Sequence, residues 1–190
     1  MQLLKACVPA VRCWICYLKS LVHLFLTQLS IQFSAELQRA GSALICVIEF
    51  KKLIEKHFNS PKNRLCGHNA KEFDFPFIAR RMLANRIPLP STLRLFNKKP
   101  WEIQHLETLH LWRFGDYKHY TSLKLMAHVL GIPSPKDDID GSQVAKVYYE
   151  DQNLKRIIQY CEKDVVTVAQ VFLRLRNQSL LKSEEIVFSN

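Results

Sequence analysis

The stretch RLCGHNAKEFDFPFIARRMLANRI, Arg64 to Ile87, decides the fold class, because it changes character partway. Its first part, RLCGHN, has the look of a short strand that closes at Asn69 in a turn. From Phe73-Asp74 onward the pattern is helical, and Pro76 is compatible with this. It falls in the first helical turn, where a missing N–H costs no intrahelical bond. Asp74 then lies beside the free backbone N–H groups and the positive end of the helix dipole. Capping alone explains an Asp at such a position, so Asp74 gains meaning only in combination with something else.

Working outward, EFKKLIEKHF (49–58) predicts a helix with Leu53, Ile54 and Phe58 turned inward. EIQHLETLHLW predicts a strand running into a helix, with the two periods competing. TSLKLMAHVLG predicts a helix capped by Thr121 or Ser122 and stopped by Gly131. PSPKDDIDGS is a loop by its turn chemistry, and its acids suit a solvated turn better than a calcium loop. QVAKVYYE and NLKRIIQYCEKDVVTVAQVFLRLRN complete a helical second half. In the latter, Ile157, Ile158, Cys161, Val165, Val168 and Phe172 form the apolar side. Tyr160 and Asp164, four residues apart, stack on one face of that helix. Strands alternating with helices predict an α/β domain.

Composition narrows the partners. The 190 residues are 48% hydrophobic and 23% charged, a globular mix with enough chain for a real core. The formal charge of +10 is uneven: residues 51–120 carry fourteen Lys/Arg against six acids, whereas residues 121–190 carry nine of each. A basic middle third suits a polyanion such as nucleic acid, or simply a solvated surface. Of six cysteines, Cys13 and Cys16 form a C-x-x-C without a second ligand pair at zinc spacing. Cys66 and Cys161 sit among apolar neighbours as small buried hydrophobes. The seven histidines show no H-x-x-x-H or HExxH spacing, which favours surface or hydrogen-bonded core positions.

Residues 1–48 differ from the rest. WICYLKSLVHLFLTQLSIQF is strongly apolar, yet Lys19, His23, Gln28 and Gln32 interrupt it. A membrane helix, a secretory signal and a truncated or shifted reading frame all remain open for this segment. The domain reading is therefore an atypical N-terminal segment (1–48), an α/β domain (49–177) and a C-terminal tail (178–190). The expected location is cytoplasmic, without stable membrane association.

NAKEFD (69–74) followed some ninety residues later by YCEKD (160–164) is a recognisable combination. With the intervening Lys99–Val144 text, it resembles 3'-5' exonucleases of the DEDD superfamily. The likeness is to the Tyr-containing branch, and most of all to predicted exonucleases related to the proofreading domain of family-B DNA polymerases. NAKEFD is similar to the second exonuclease motif and YCEKD to the third. The His-containing branch would need a His where Gln159 stands. The resemblance covers residues 49–177. It implies an RNase H-like α/β fold, a mixed sheet flanked by helices, and two Mg2+ or Mn2+ ions serving hydrolysis at single-stranded 3' ends. DNA is favoured over RNA. It further implies Asp74 and Asp164 as metal ligands, Tyr160 as the group that orients water, and Asn69 and Phe73 as the walls around the terminal nucleotide.

One motif is missing. The family's Asp-x-Glu has no counterpart before Asn69, where the only acids are Glu36, Glu49 and Glu55. Glu49 ends the strand-like run LICVIEF but cannot replace a pair. The strands that normally precede the second motif also lack clear counterparts, so the fold is expected to be incomplete at its N-terminus. Glu107 stands where the family has Asp, a change of little expected consequence. The alternative function is a catalytically degenerate nucleic-acid-binding relative or a truncated gene product.

Overall fold

The computed structural model describes residues 5–7, 43–58, 63–116, 118–133, 139 and 141–186, of which 5–7, 43–46 and 100 are described as backbone only. A three-stranded sheet runs in the order β1 (Lys5–Cys7), β2 (Arg64–Gly67), β3 (Leu106–Glu107). β1 pairs antiparallel with β2, with Ala6 opposite Leu65. β2 pairs parallel with β3, with Gly67 opposite Glu107. The helices are α1 (Ala43–His57), α2 (Asp74–Ala84), α3 (Thr108–Arg113), α4 (Leu123–Val129), α5 (Val144–Tyr149) and α6 (Leu154–Leu175). The result is a helix-rich α/β fold around a small mixed sheet.

β2 separates two apolar layers. Successive side chains on a strand point to opposite faces, and β2 uses both. Leu65 packs with Phe50, Leu53 and Ile54 of α1, Phe58, and Phe75 and Met82 of α2. Cys66 packs with Met126 and Ala127 of α4 and with Val168, Val171 and Phe172 of α6. Helices thus cover the strand from both sides, and Leu53, Ile54 and Phe58 point inward as their spacing predicts.

LICVIEF is not a strand. It lies within α1, and Glu49 sits in mid-helix with its carboxylate 2.5 Å from Lys52 Nζ. Short apolar runs fit either period in isolation. Here Phe50, Leu53 and Ile54 bury one helical face, while Lys51–Glu55 and Glu49–Lys52 pair on the other. The helix runs through residue 48, where the composition shifts.

Local chemistry sets the remaining ends. The Ser122 hydroxyl accepts the Leu125 N–H and starts α4, while Gly131, at φ 63°, ends it in the left-handed region that suits glycine. The Asn153 side chain caps α6 through the Arg156 N–H. Residues 178–186 return along α6: the Gln170 amide both donates to and accepts from the Leu181 backbone, at 2.9 Å each way. Among the described residues no helix is long and apolar enough to cross a membrane. The run Trp14–Phe33, the Cys13–Cys16 pair and most of PKDDID lie outside the described residues.

Candidate functional site

The chain leaves β2 through a tight corner. A Cβ on Gly67 would lie 2.3 Å from the Cβ of Ala70, so only glycine lets the two segments approach this closely. Asn69 follows in the left-handed region, φ 59°, which a short amide side chain tolerates. The Phe73 N–H then bonds the Asn69 carbonyl at 3.2 Å and the Phe75 N–H bonds that of Ala70 at 2.9 Å. This brings Asp74 to the first position of α2, where it is only 3% exposed. Phe73, just before it, remains 58% exposed and lies parallel to Phe77 one turn on, with ring centroids 6.1 Å apart.

Glu107 holds this corner in place. Its carboxylate, 2% exposed, accepts the Asn69 N–H, the Lys71 N–H at 3.0 Å and the Leu109 N–H at 3.4 Å. Burial pushes its pKa up, and the converging backbone N–H groups pull it back down. One side chain thereby joins the end of β3, the start of α3 and the loop carrying Asn69 and Phe73. On sequence alone this position carries little weight. The available signal was its place at a strand-to-helix junction, where a carboxylate caps. Lys71 adds a second tie: its Nζ donates to the Ile103 carbonyl at 2.9 Å.

Two buried histidines complete the support. His105 Nδ1 accepts the Leu65 N–H at 3.2 Å, so Nε2–H donates to the Thr92 carbonyl at 2.7 Å. Burial lowers its pKa to about 4, and protonation would turn Nδ1–H against the Leu65 N–H. His68 lies between Thr108 Oγ1 and the Thr121 carbonyl, each at 2.9 Å, and burial lowers its pKa too. In the neutral ring Nε2–H must donate to the carbonyl, leaving Nδ1 to accept from Thr108. The same hydroxyl lies 3.1 Å from the Gly67 carbonyl and can turn its proton to either acceptor.

Tyr160 and Asp164 are held differently. Both are half-buried on α6, one turn apart, and Val168, one further turn along, packs in the same cluster as Cys66 of β2. The Tyr160 hydroxyl comes within 3.9 Å of the position a Cβ on Gly141 would take. Between them, Cys161 is buried, and burial raises its thiol pKa to about 11, which keeps it protonated and unreactive.

The structure therefore unites Asn69, Phe73 and Asp74 in one anchored corner and Tyr160 with Asp164 on one helical turn. Among the described residues, no three His, Cys, Asp or Glu side chains gather into a group able to hold a metal ion. The donor set seen here falls short of a two-ion site, since each hard cation needs several oxygen ligands.

A family model described as "Predicted 3'-5' exonuclease related to the exonuclease domain of PolB" matches residues 36–186. The chain belongs to this family. The matched span includes both motifs, Glu107 and all of α1 to α6. It starts before the composition shift and ends beyond the Leu181 clamp. No curated protein and no solved structure gives a significant match.

Proposed function

We propose that this member of the exonuclease family removes nucleotides from the 3' end of a single nucleic-acid strand, preferably DNA, on an RNase H-like framework. Asp74 and Asp164 are the acids of the reaction centre and Tyr160 orients the water that attacks the terminal phosphodiester. Asn69 and Phe73 bound the terminal nucleotide. Mg2+ or Mn2+ is the cofactor this reading requires. The observation that carries it is the family match across both motifs, in their proper order. The burial of Asp74 at a helix N-terminus and the one-turn spacing of Tyr160 and Asp164 agree with it.

A second reading has its own support. The absence of any Asp-x-Glu before Asn69, together with the short donor set, favours a relative that binds strand ends without cutting them. The two readings part in a digestion of 5'-labelled single-stranded DNA with Mg2+ or Mn2+, run beside Asp164→Ala prepared identically. Hydrolysis predicts a ladder that shortens from the 3' end and vanishes in the variant or with EDTA. Identical lanes from two well-folded proteins would instead favour the non-hydrolytic reading.

A further inference from the structure

The segment RLFNKKPW, Arg94 to Trp101, carries three cations and no acid, and its two aromatic side chains project into solvent. Phe96 is 64% and Trp101 77% exposed, although the segment is firmly seated at both ends. Leu89 and Leu93 are buried before it, and the Thr92 carbonyl is taken by His105. After it, Glu102 accepts the Lys99 N–H at 2.7 Å and Lys71 Nζ holds the Ile103 carbonyl. A loop anchored at both ends that still exposes a Phe and a Trp leaves apolar surface uncovered, and such surface commonly marks an interaction site. The Lys99 ammonium sits 5.3 Å from the centre of the Trp101 ring, which places a cation directly beside a stacking face.

We infer that this loop is a second contact for single-stranded nucleic acid, outside the corner that would hold the strand end. Trp101 and Phe96 stack on unpaired bases, while Lys98 and Lys99 meet the phosphates. Aromatic faces interleaved with cations are the chemistry that single strands recognise, because every base has a π-face and every link a charge. Charge complementarity selects this partner: the loop lies in the strongly basic part of the chain, residues 51–120. Lys71 supplies the connection, since its side chain holds Ile103 while its N–H is fixed by Glu107 beside Asn69. The loop and the corner are thus tied to each other. The choice of partner rests on the nucleic-acid reading above, but binding here needs no hydrolysis.

The test uses the full chain, with EDTA present so that no strand is cut. Fluorescence anisotropy follows a labelled single-stranded thymidine oligonucleotide and an abasic strand of equal length. Trp101→Ala and Phe96→Ala should each weaken binding to the thymidine strand roughly tenfold. They should change binding to the abasic strand little, and Trp101→Phe should recover most of the loss. Lys98→Gln with Lys99→Gln should weaken both strands alike and flatten the salt dependence. Both aromatics are exposed, so melting temperatures should hold. Binding in EDTA needs no turnover, so a chain that fails to shorten DNA in the Mg2+ digestion yet shows these losses would keep this inference and sink only the hydrolytic one. Equal affinity of wild type and Trp101→Ala for the thymidine strand would overturn it. So would capture of the loop by anionic phospholipid vesicles with no preference for base-bearing over abasic strands.

Discussion

The corner at residues 67–74 and the Tyr160–Asp164 turn of α6 are held in place by opposite means. The corner is irregular backbone, and irregular backbone away from water must find partners for its N–H groups. Glu107 receives N–H groups from Asn69 and Lys71, His68 bridges Thr108 and Thr121, and Gly67 lets the chain fold back on Ala70. The α6 turn needs none of this: its N–H groups are used within the helix, and apolar packing of Val165, Val168 and Phe172 sets its orientation. Damage to the corner should therefore appear first as lost stability, whereas damage to the α6 turn should appear as lost function in a protein that still folds.

The largest effect on turnover is expected from Asp164→Ala, which should abolish strand shortening while shifting the melting temperature by no more than a few degrees. The largest effect on stability is expected from Glu107→Ala. It leaves the part-buried Asn69 and Lys71 N–H groups without their acceptor and should cost ~2–4 kcal/mol, read as a lower denaturant midpoint. Glu107→Gln, which keeps one carbonyl oxygen, should lose clearly less. An α6 variant that unfolds the chain, or a harmless Glu107→Ala, would break the contrast.

Acid should attack the same region. His105 is neutral in the fold with a pKa lowered to about 4, against an ordinary value of 6.5. A depressed folded pKa means that the unfolded chain binds the proton first as pH falls. Stability from this group is therefore fully present above pH ~6.5 and is lost progressively down to about pH 4, by roughly 3 kcal/mol in all. His68 acts in the same direction. Urea unfolding between pH 7 and 4.5 checks this, and His105→Gln should flatten the slope.

Two smaller effects sharpen the comparison. Gly67→Ala should destabilise by ~1–3 kcal/mol, because its methyl meets Ala70 at 2.3 Å, and Ala70→Gly should restore part of the loss. An additive double mutant would show that the clash is not the cause. If Tyr160 orients the attacking water as proposed, Tyr160→Phe should slow turnover by roughly a hundredfold and leave the melting curve unchanged.

Legibility in the sequence divides along the same line. The helices of the second half follow from their period, and α4 starts at the Ser122 signal and stops at the Gly131 signal, as the sequence predicts. Tyr160 and Asp164 share a face because four residues make about one turn. The corner was legible as a strand, a turn and a helix, but its support was not. Glu107 lies 38 residues from Asn69 and His105 lies 40 from Leu65, so neither bond leaves a local trace. LICVIEF misled for a related reason. Without knowledge of the neighbouring layers, five apolar residues before an acid suit a strand as well as a helix, and only packing against Leu65 and Phe75 decides. Phe96 and Trp101 carry no signal of exposure at all, since apolar residues are ordinarily assigned to the core.

The most direct test sets Asp164→Asn beside Glu107→Gln, each measured for melting temperature and for 3'-end shortening of 5'-labelled single-stranded DNA with Mn2+. The account predicts that Asp164→Asn keeps its melting temperature and loses turnover, whereas Glu107→Gln loses melting temperature and regains turnover at temperatures where it is folded. Turnover that survives in folded Asp164→Asn would contradict it, because the chemistry would then lie outside the α6 turn.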